Sequence, residues 1–176
     1  DVSLLIRKDG NLQVAEKIVY DFGKDLRHGI FRNIPYEYKN KLGNYTLHFD
    51  DFLVTDQYGE KLPFRKSEES GEVVLKIGDP DVYIKGIHNY VINYTVEGAI
   101  NFFDTEDELY WNVTGNNWPV PIKSVTAQIF LPNDVAVEAI KLSCYTGTIG
   151  ENNSCEQVQI GNPAFVGQKN LLAQQV

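Results

Sequence analysis

The stretch ELYWNVTGNNWPVPI (108–122) concentrates the side chains of this protein best suited to holding a ligand. It carries both tryptophans, Trp111 and Trp118, together with Asn112, Asn116 and Asn117. A sugar site stacks on indole faces and uses side-chain amides for hydroxyls, so Trp118, Asn112, Asn116 and Asn117 are the candidate binding residues. The competing reading makes both indoles plugs at the end of a core, each N–H finding a backbone carbonyl. Trp111 reads as core; Trp118, beside the asparagine pair, stays open between the two. Gly115 and Asn116 suit a turn with positive φ, and Pro119 and Pro121 send the chain onward extended.

Other chemistry is thinner. DTEDE (104–108) puts Asp104, Glu106, Asp107 and Glu108 within one loop, and DPD (79–81) is a second acidic turn. Calcium takes six to eight oxygens, but neither stretch matches a known calcium loop. These are weak candidates, and no metal or cofactor is expected. Cys144 and Cys155 bracket a loop rich in Gly, Asn, Ser and Thr. Two cysteines fall short of a structural zinc set, so a disulfide is the better expectation, with an oxidising compartment as its corollary. His28, flanked by Arg27 and Arg32, has no nucleophile at a recognisable spacing and reads as structural. Serine-hydrolase, zinc-protease and nucleotide-binding signatures are absent. Carboxylates are plentiful enough for a glycosidase pair, yet nothing in their spacing sets two across a cleft. Four N-x-[ST] sequons, at Asn44, Asn93, Asn112 and Asn152, are what an asparagine-rich chain produces by chance.

The elements that must position these groups are strands. The chain has 176 residues, 12% of them aromatic, with 10 Tyr and 9 Phe, which favour sheets. VSLLIR and LQVAEKIVY flank KDGN, and Asp9-Gly10 predicts a two-residue type I′ hairpin. In the second strand Leu12, Val14, Ile18 and Tyr20 share a face that Glu16 interrupts. That lapse signals either an edge strand or a carboxylate held by a partner. YTLHFDDFLVTD leads through the turn QYGE into KLPFR, a second hairpin, and KSEESGE (66–72) reads as loop. YVINYTV (90–96) alternates cleanly, as does SVTAQIFLP (124–132). DTEDELYWN is the best helical candidate, about two turns long. Many short strands separated by turn signals predict a single all-β domain over residues 1–176. Its expected architecture is a two-layer antiparallel β-sandwich, immunoglobulin-like in outline, with at most short helical turns.

The net charge is −8, which argues against nucleic acid as a partner. Beyond residue 66 the chain carries 14 acidic and 5 basic side chains, a bias that serves solubility first. There is no methionine, residue 1 is Asp1, and no apolar run reaches 18 residues. These features read as a processed or trimmed piece of something longer, and NLLAQQV at the end as a strand cut short.

GIFRNIPY (29–36), HNYVINYTVEGAI (88–100), ELYWNVTGNNWPVPI, IFLP and CYTGTIGENNSC occur in that order. Together they resemble the N-terminal domain of the YciQ-like predicted membrane proteins, a family of unknown function. The resemblance spans nearly the whole chain and brings no catalytic residues with it. It implies a bacterial domain outside the cytoplasm, tethered by transmembrane helices that this stretch lacks. The expected role is therefore an extracytoplasmic binding or interaction module, its partner an envelope protein or carbohydrate. The alternative is a cell-envelope hydrolase using paired carboxylates; an enzyme is the less favoured outcome.

Overall fold

The computed structural model describes residues 1–40, 43–116, 118–148 and 151–172. Alternation of apolar and polar residues decides most of it, because successive side chains of a strand face opposite sides of a sheet. The large sheet is built from β1 (Val2–Ile6), β2 (Leu12–Asp21), β6 (His48–Thr55), β9 (Ile87–Glu97), β12 (Ile122–Phe130), β15 (Gln157–Gln159) and β16 (Ala164–Leu171). Its strand order is β15-β16-β12-β1-β2-β9-β6. Leu12 and Val14 of β2, and Tyr90, Ile92, Tyr94 and Val96 of β9, all point inward and are buried. β1 lies parallel to β12, with Val2 beside Ala127, so this one ladder departs from the antiparallel pairing expected of a sandwich.

A second sheet of β3 (Ile30–Pro35), β8 (Glu72–Ile77) and β7 (Phe64–Glu69) lies over the β2, β9 and β6 part. Ile30, Ile34, Val73, Leu75 and Ile77 are its buried residues and join the same core. The expected all-β, sandwich-like arrangement is what the chain adopts. Three small hairpins complete it: β4 (Glu37–Asn40) with β5 (Gly43–Thr46), β10 (Ile100–Phe102) with β11 (Asp107–Leu109), and β13 (Tyr145–Thr146) with β14 (Asn153–Ser154). A single 3₁₀ turn, Val137–Ala139, is the helical content of the described residues.

Three local expectations need correction. The β1–β2 connection is a three-residue loop: Arg7 N–H bonds the Asn11 carbonyl (2.9 Å) and Gly10 N–H the Arg7 carbonyl (3.0 Å). Only Gly10, at φ 85°, is left-handed there, as in a type I turn followed by a bulge glycine rather than a type I′ turn. The type I′ signature lies instead in KSEESGE, at Ser70 (φ 51°) and Gly71 (φ 78°). That stretch is not loop: β7 and β8 are a hairpin with Glu69 paired to Glu72. It looked structureless because β7 is an edge strand, with Arg65 through Glu69 exposed.

The helix expected over DTEDELYWN is absent. Phe103 N–H bonds the Glu106 carbonyl (3.0 Å), and Asp107–Leu109 pairs with Ile100–Phe102. Local acidity suited a helix start, but a sheet partner was close in sequence and took the backbone bonds. KLPFR turns back as expected, bridging Thr55 to Lys61. It then leaves for the second sheet, since Pro63 cannot donate to a ladder. β6 itself is irregular: its register against β9 shifts between Asp50 and Leu53, where Asp51 sits at φ 57°. Of the terminal NLLAQQV, Asn170 and Leu171 belong to β16, and residues 173–176 lie outside the described residues.

Candidate functional site

Glu16 is the lapse in the apolar face of β2, and Arg32 is a matching lapse between Ile30 and Ile34 of β3. Both point into the core, and the two meet there. Arg32 Nε donates to Glu16 Oε2 (2.6 Å) and Nη2 to Glu16 Oε1 (2.9 Å), a bidentate pair with side chains 1% and 2% exposed. Tyr94 donates its hydroxyl to Glu16 Oε1 (2.6 Å), and Arg32 Nη1 donates to the Asn33 carbonyl (2.5 Å). Burial works to lower the Arg32 pKa, but the Glu16 charge and hydrogen bonds outweigh it and the guanidinium is held more firmly. Burial first, then the Glu16 charge, pushes the Tyr94 phenol well above its ordinary range. Of the two sequence alternatives for Glu16, the structure selects the held carboxylate; β2 lies between β1 and β9, not at an edge.

The aromatic loop closes over this pair. Gly115, at φ 72°, lies so close to the Arg32 guanidinium that any β-carbon there would collide with Nη1 and come within 2.6 Å of the Asn33 carbonyl. The loop holds its shape with its own polar groups. Gly115 N–H bonds Asn112 Oδ1 (2.9 Å), Asn112 Nδ2 donates to Asn116 Oδ1 (2.9 Å), and Trp118 Nε1 donates to the Thr114 carbonyl (2.7 Å). Trp118 is 9% exposed, with Tyr20 at 6.3 Å between ring centroids. Of the two indoles it is the deeper. Trp111 is half-buried against the core, 6.3 Å from the Phe49 ring. The candidate binding residues Trp118, Asn112 and Asn116 thus come together as an internally bonded cap; Asn117 lies outside the described residues.

A cleft opens on either side of this loop. One, about 750 Å³, sits where Trp118 and Asn116 meet Tyr20, Phe31 and the exposed pair Asp25–Arg27 (3.2 Å). The other, about 580 Å³, lies between the inner face of β1, β12 and β16 and a cover of irregular chain. Leu4, Ala127 and Val166 form its floor; Trp111, Leu142 and Cys144 belong to the cover. The cover is fixed by the expected disulfide: Cys144 and Cys155 are bonded, with Cα atoms 5.5 Å apart, at the base of the β13–β14 hairpin.

The acidic loop edges the same cleft. Glu106 pairs with Lys141 (2.7 Å), which raises the Lys141 pKa through that hydrogen bond first. Asp107 and Glu108 are exposed on β11, and Asp104 is exposed in the turn before it. Among the described residues no three His, Cys, Asp or Glu side chains converge as a metal site would require. Asp79 spends a carboxylate oxygen on Asp81 N–H (2.9 Å). His28 packs against Tyr83 in a tilted arrangement (4.1 Å between centroids), with Nδ1 3.0 Å from the Val82 carbonyl.

Sequence reading missed Arg32, Tyr94 and the floor residues Leu4 and Ala127 as neighbours of the loop. Arg32 carried a signal, since a charged residue amid alternating Ile30 and Ile34 mirrors Glu16. The floor carried none beyond ordinary strand alternation.

Fold and site together define an all-β, sandwich-like module with an ion pair sealed between its two sheets and a cleft on either side of the aromatic loop. Among the described residues no helix is long and apolar enough to cross a membrane. The chain belongs to the DUF2207 family, described as the N-terminal domain of predicted membrane proteins, whose profile matches residues 1–163. It is similar to the uncharacterized protein YciQ of Escherichia coli (strain K12), 26% identical over 153 residues. That similarity covers 86% of this chain and 24% of YciQ, so the chain spans about a quarter of the relative it matches.

Proposed function

We propose that this chain is the extracytoplasmic binding module of a bacterial membrane-anchored protein, engaging an envelope component through the cleft beneath its disulfide-bonded cover. The observation that carries the reading is the cover itself. A cleft of about 580 Å³ is held open by irregular chain that a Cys144–Cys155 bond fastens. Such bonds persist in oxidising compartments, and membership in a family of predicted membrane proteins supports a position against a membrane. Pre-formed concavity suits binding, because little ordering remains to be done when a partner arrives.

The test uses cells carrying the whole membrane protein. Protease added to spheroplasts digests this module while a cytoplasmic control survives, and both cysteines resist alkylation until reductant is added. A photo-crosslinking residue at Tyr145, 61% exposed on the cleft wall, captures a discrete envelope component. One at Lys17, on the outer face of β2, does not. Protection from protease together with freely alkylated cysteines would overturn the location. Equal capture at both positions would overturn the cleft as the binding surface.

A further inference from the structure

The smaller sheet ends at β3, and the bonding pattern decides which backbone groups of that strand face outward. Tyr36 N–H bonds the Gly71 carbonyl (2.9 Å), continuing the register that sets Ile34 against Val73 and Ile30 against Ile77. Bonded and non-bonded pairs alternate along an antiparallel ladder, so Ile30, Arg32 and Ile34 turn their backbones to β8. Phe31, Asn33 and Pro35 turn theirs away from the sheet. Pro35 has no N–H to offer, which an outward row tolerates, and the Asn33 carbonyl accepts from Arg32 Nη1. Phe31 N–H, the Phe31 carbonyl and Asn33 N–H are left without a partner among the described residues.

A cleft lies against this row. Gly29, Ile30, Phe31 and Asn33 line the space of about 750 Å³, and Trp118, Pro119 and Val120 line it with them. Its accessible apolar surface belongs to Phe31 and Val120, 59% and 37% exposed, and to Pro119, also exposed. Its charges do not balance. Arg27 is taken by Asp25 (3.2 Å), whereas Asp21 and Glu69 of the same lining meet no base among the described residues. Asp21 accepts Gly23 N–H (2.8 Å) and Glu69 the Ser67 hydroxyl (2.7 Å), and both carboxylates keep their charge uncompensated.

The row selects the occupant's backbone. Donor, acceptor and donor in line along one edge are matched by an extended peptide, whose own groups recur on each side about every 6.8 Å. A sugar or a lipid presents no such repeat. The two uncompensated carboxylates select its side chains, which are lysine or arginine. We propose that β3 accepts an extended basic peptide segment as an added strand, bonded to Phe31 and Asn33 and lying against Phe31, Pro119 and Val120. This site is separate from the cleft beneath the disulfide-bonded cover, and its test is independent of where the module resides.

The experiment titrates the purified protein, disulfide intact, with acetyl-Lys-Val-Lys-Val-Lys-Val-amide and follows it by NMR. Saturable binding is expected, with hydrogen exchange at the Phe31 and Asn33 amides slowed at least tenfold at saturation. The glutamate counterpart, acetyl-Glu-Val-Glu-Val-Glu-Val-amide, should bind at least tenfold more weakly, the gap narrowing at high salt. The lysine peptide methylated at every backbone nitrogen keeps its side chains but loses its donors, and should weaken by a similar factor. Phe31→Pro, which removes the outward N–H, should weaken the lysine peptide about tenfold. Phe31→Ala, which keeps the backbone, should cost about threefold, with near-ultraviolet circular dichroism reporting the fold of both variants. Asp21→Asn with Glu69→Gln keeps both local bonds and should weaken it about fivefold. The proposal is overturned if the lysine peptide shows no saturable binding, or if the glutamate or methylated peptide binds within twofold of it. Unchanged exchange at the two amides would overturn it too. Slow exchange there in the free protein, deepening as protein concentration rises, would assign the edge to a second copy and overturn the peptide.

Discussion

Strands β2, β9 and β6 are covered by a second sheet, whereas β1, β12 and β16, one continuous surface with them, are covered by loops. Under the sheet, side chains arrive at a fixed pitch from both layers, and packing is tight enough to seal a charged pair at 1% and 2% exposure. Under the loops, space of about 580 Å³ remains and a disulfide fastens the lid. Regular strand facing regular strand closes a core; irregular chain over a strand face leaves room and needs covalent help. The Trp111–Trp118 loop is the seam between these regimes, with one indole toward each cleft.

The sharpest way to break that contrast is to unpair the sealed side. Glu16→Ala leaves the Arg32 guanidinium buried and alone, and should cost about 3–5 kcal/mol in urea unfolding. Replacing both partners by apolar residues, Glu16→Leu with Arg32→Met, should return stability to within about 1 kcal/mol of wild type. A Glu16→Ala cost below about 1 kcal/mol would show that water reaches the pair and that the two halves are sealed alike. Next in size is the seam. Trp118→Ala should cost about 3 kcal/mol, toward the lower end for core aromatics, and Trp111→Ala visibly less, about 1–2 kcal/mol. The opposite order would mean that the loop is anchored from the cleft under the lid.

On the loop-covered side, Cys144→Ser with Cys155→Ser should lower stability by about 2–3 kcal/mol. Hydrogen exchange should quicken in residues 141–146 while the amides of β2 and β9 stay protected. Loss of protection in β9 would couple the halves and erase the distinction. The smallest effect is alkaline. Burial first, and then the charge of Tyr20, raises the Tyr90 phenol from 10.0 to about 12, and Tyr94 and Tyr38 move in the same direction. The unfolded chain therefore gives up these protons first. Their contribution is complete below pH 10 and drains away as pH climbs toward 12. Thermal melts across that window should show a falling midpoint, and Tyr90→Phe a shallower fall.

How much of this was legible follows the same division. Where layers are regular, the sequence announces them: YVINYTV alternates through four buried residues, and Glu16 within an apolar face signalled either an edge strand or a held carboxylate, of which the fold adopts the second. Arg32 between Ile30 and Ile34 carried the complementary message, but which acid met which base depended on two sheets facing each other, a contact that no local pattern encodes. Where the chain is irregular, local chemistry misled. KSEESGE has loop composition because an edge strand needs no buried face, and DTEDE has the acidity of a helix start but pairs as a hairpin. Cys144 and Cys155 could be paired from a short turn-rich spacing. The cleft they fasten could not be foreseen, because space is set by what the cover fails to fill.

The irregular register of β6 between Asp50 and Leu53 has a consequence for how copies of this module behave when crowded together. β6 ends the large sheet on one side, and a straight outer strand there would offer its free backbone groups to the next copy. The bulge bends it, and an aspartate in a left-handed conformation puts a charge at the bend. β7, at the rim of the smaller sheet, is studded with Arg65, Lys66, Glu68 and Glu69, which discourage the same event. Proteins confined to a bilayer meet far more often than the same proteins in free solution. At β6 and β7, these features work against edge-to-edge pairing between copies.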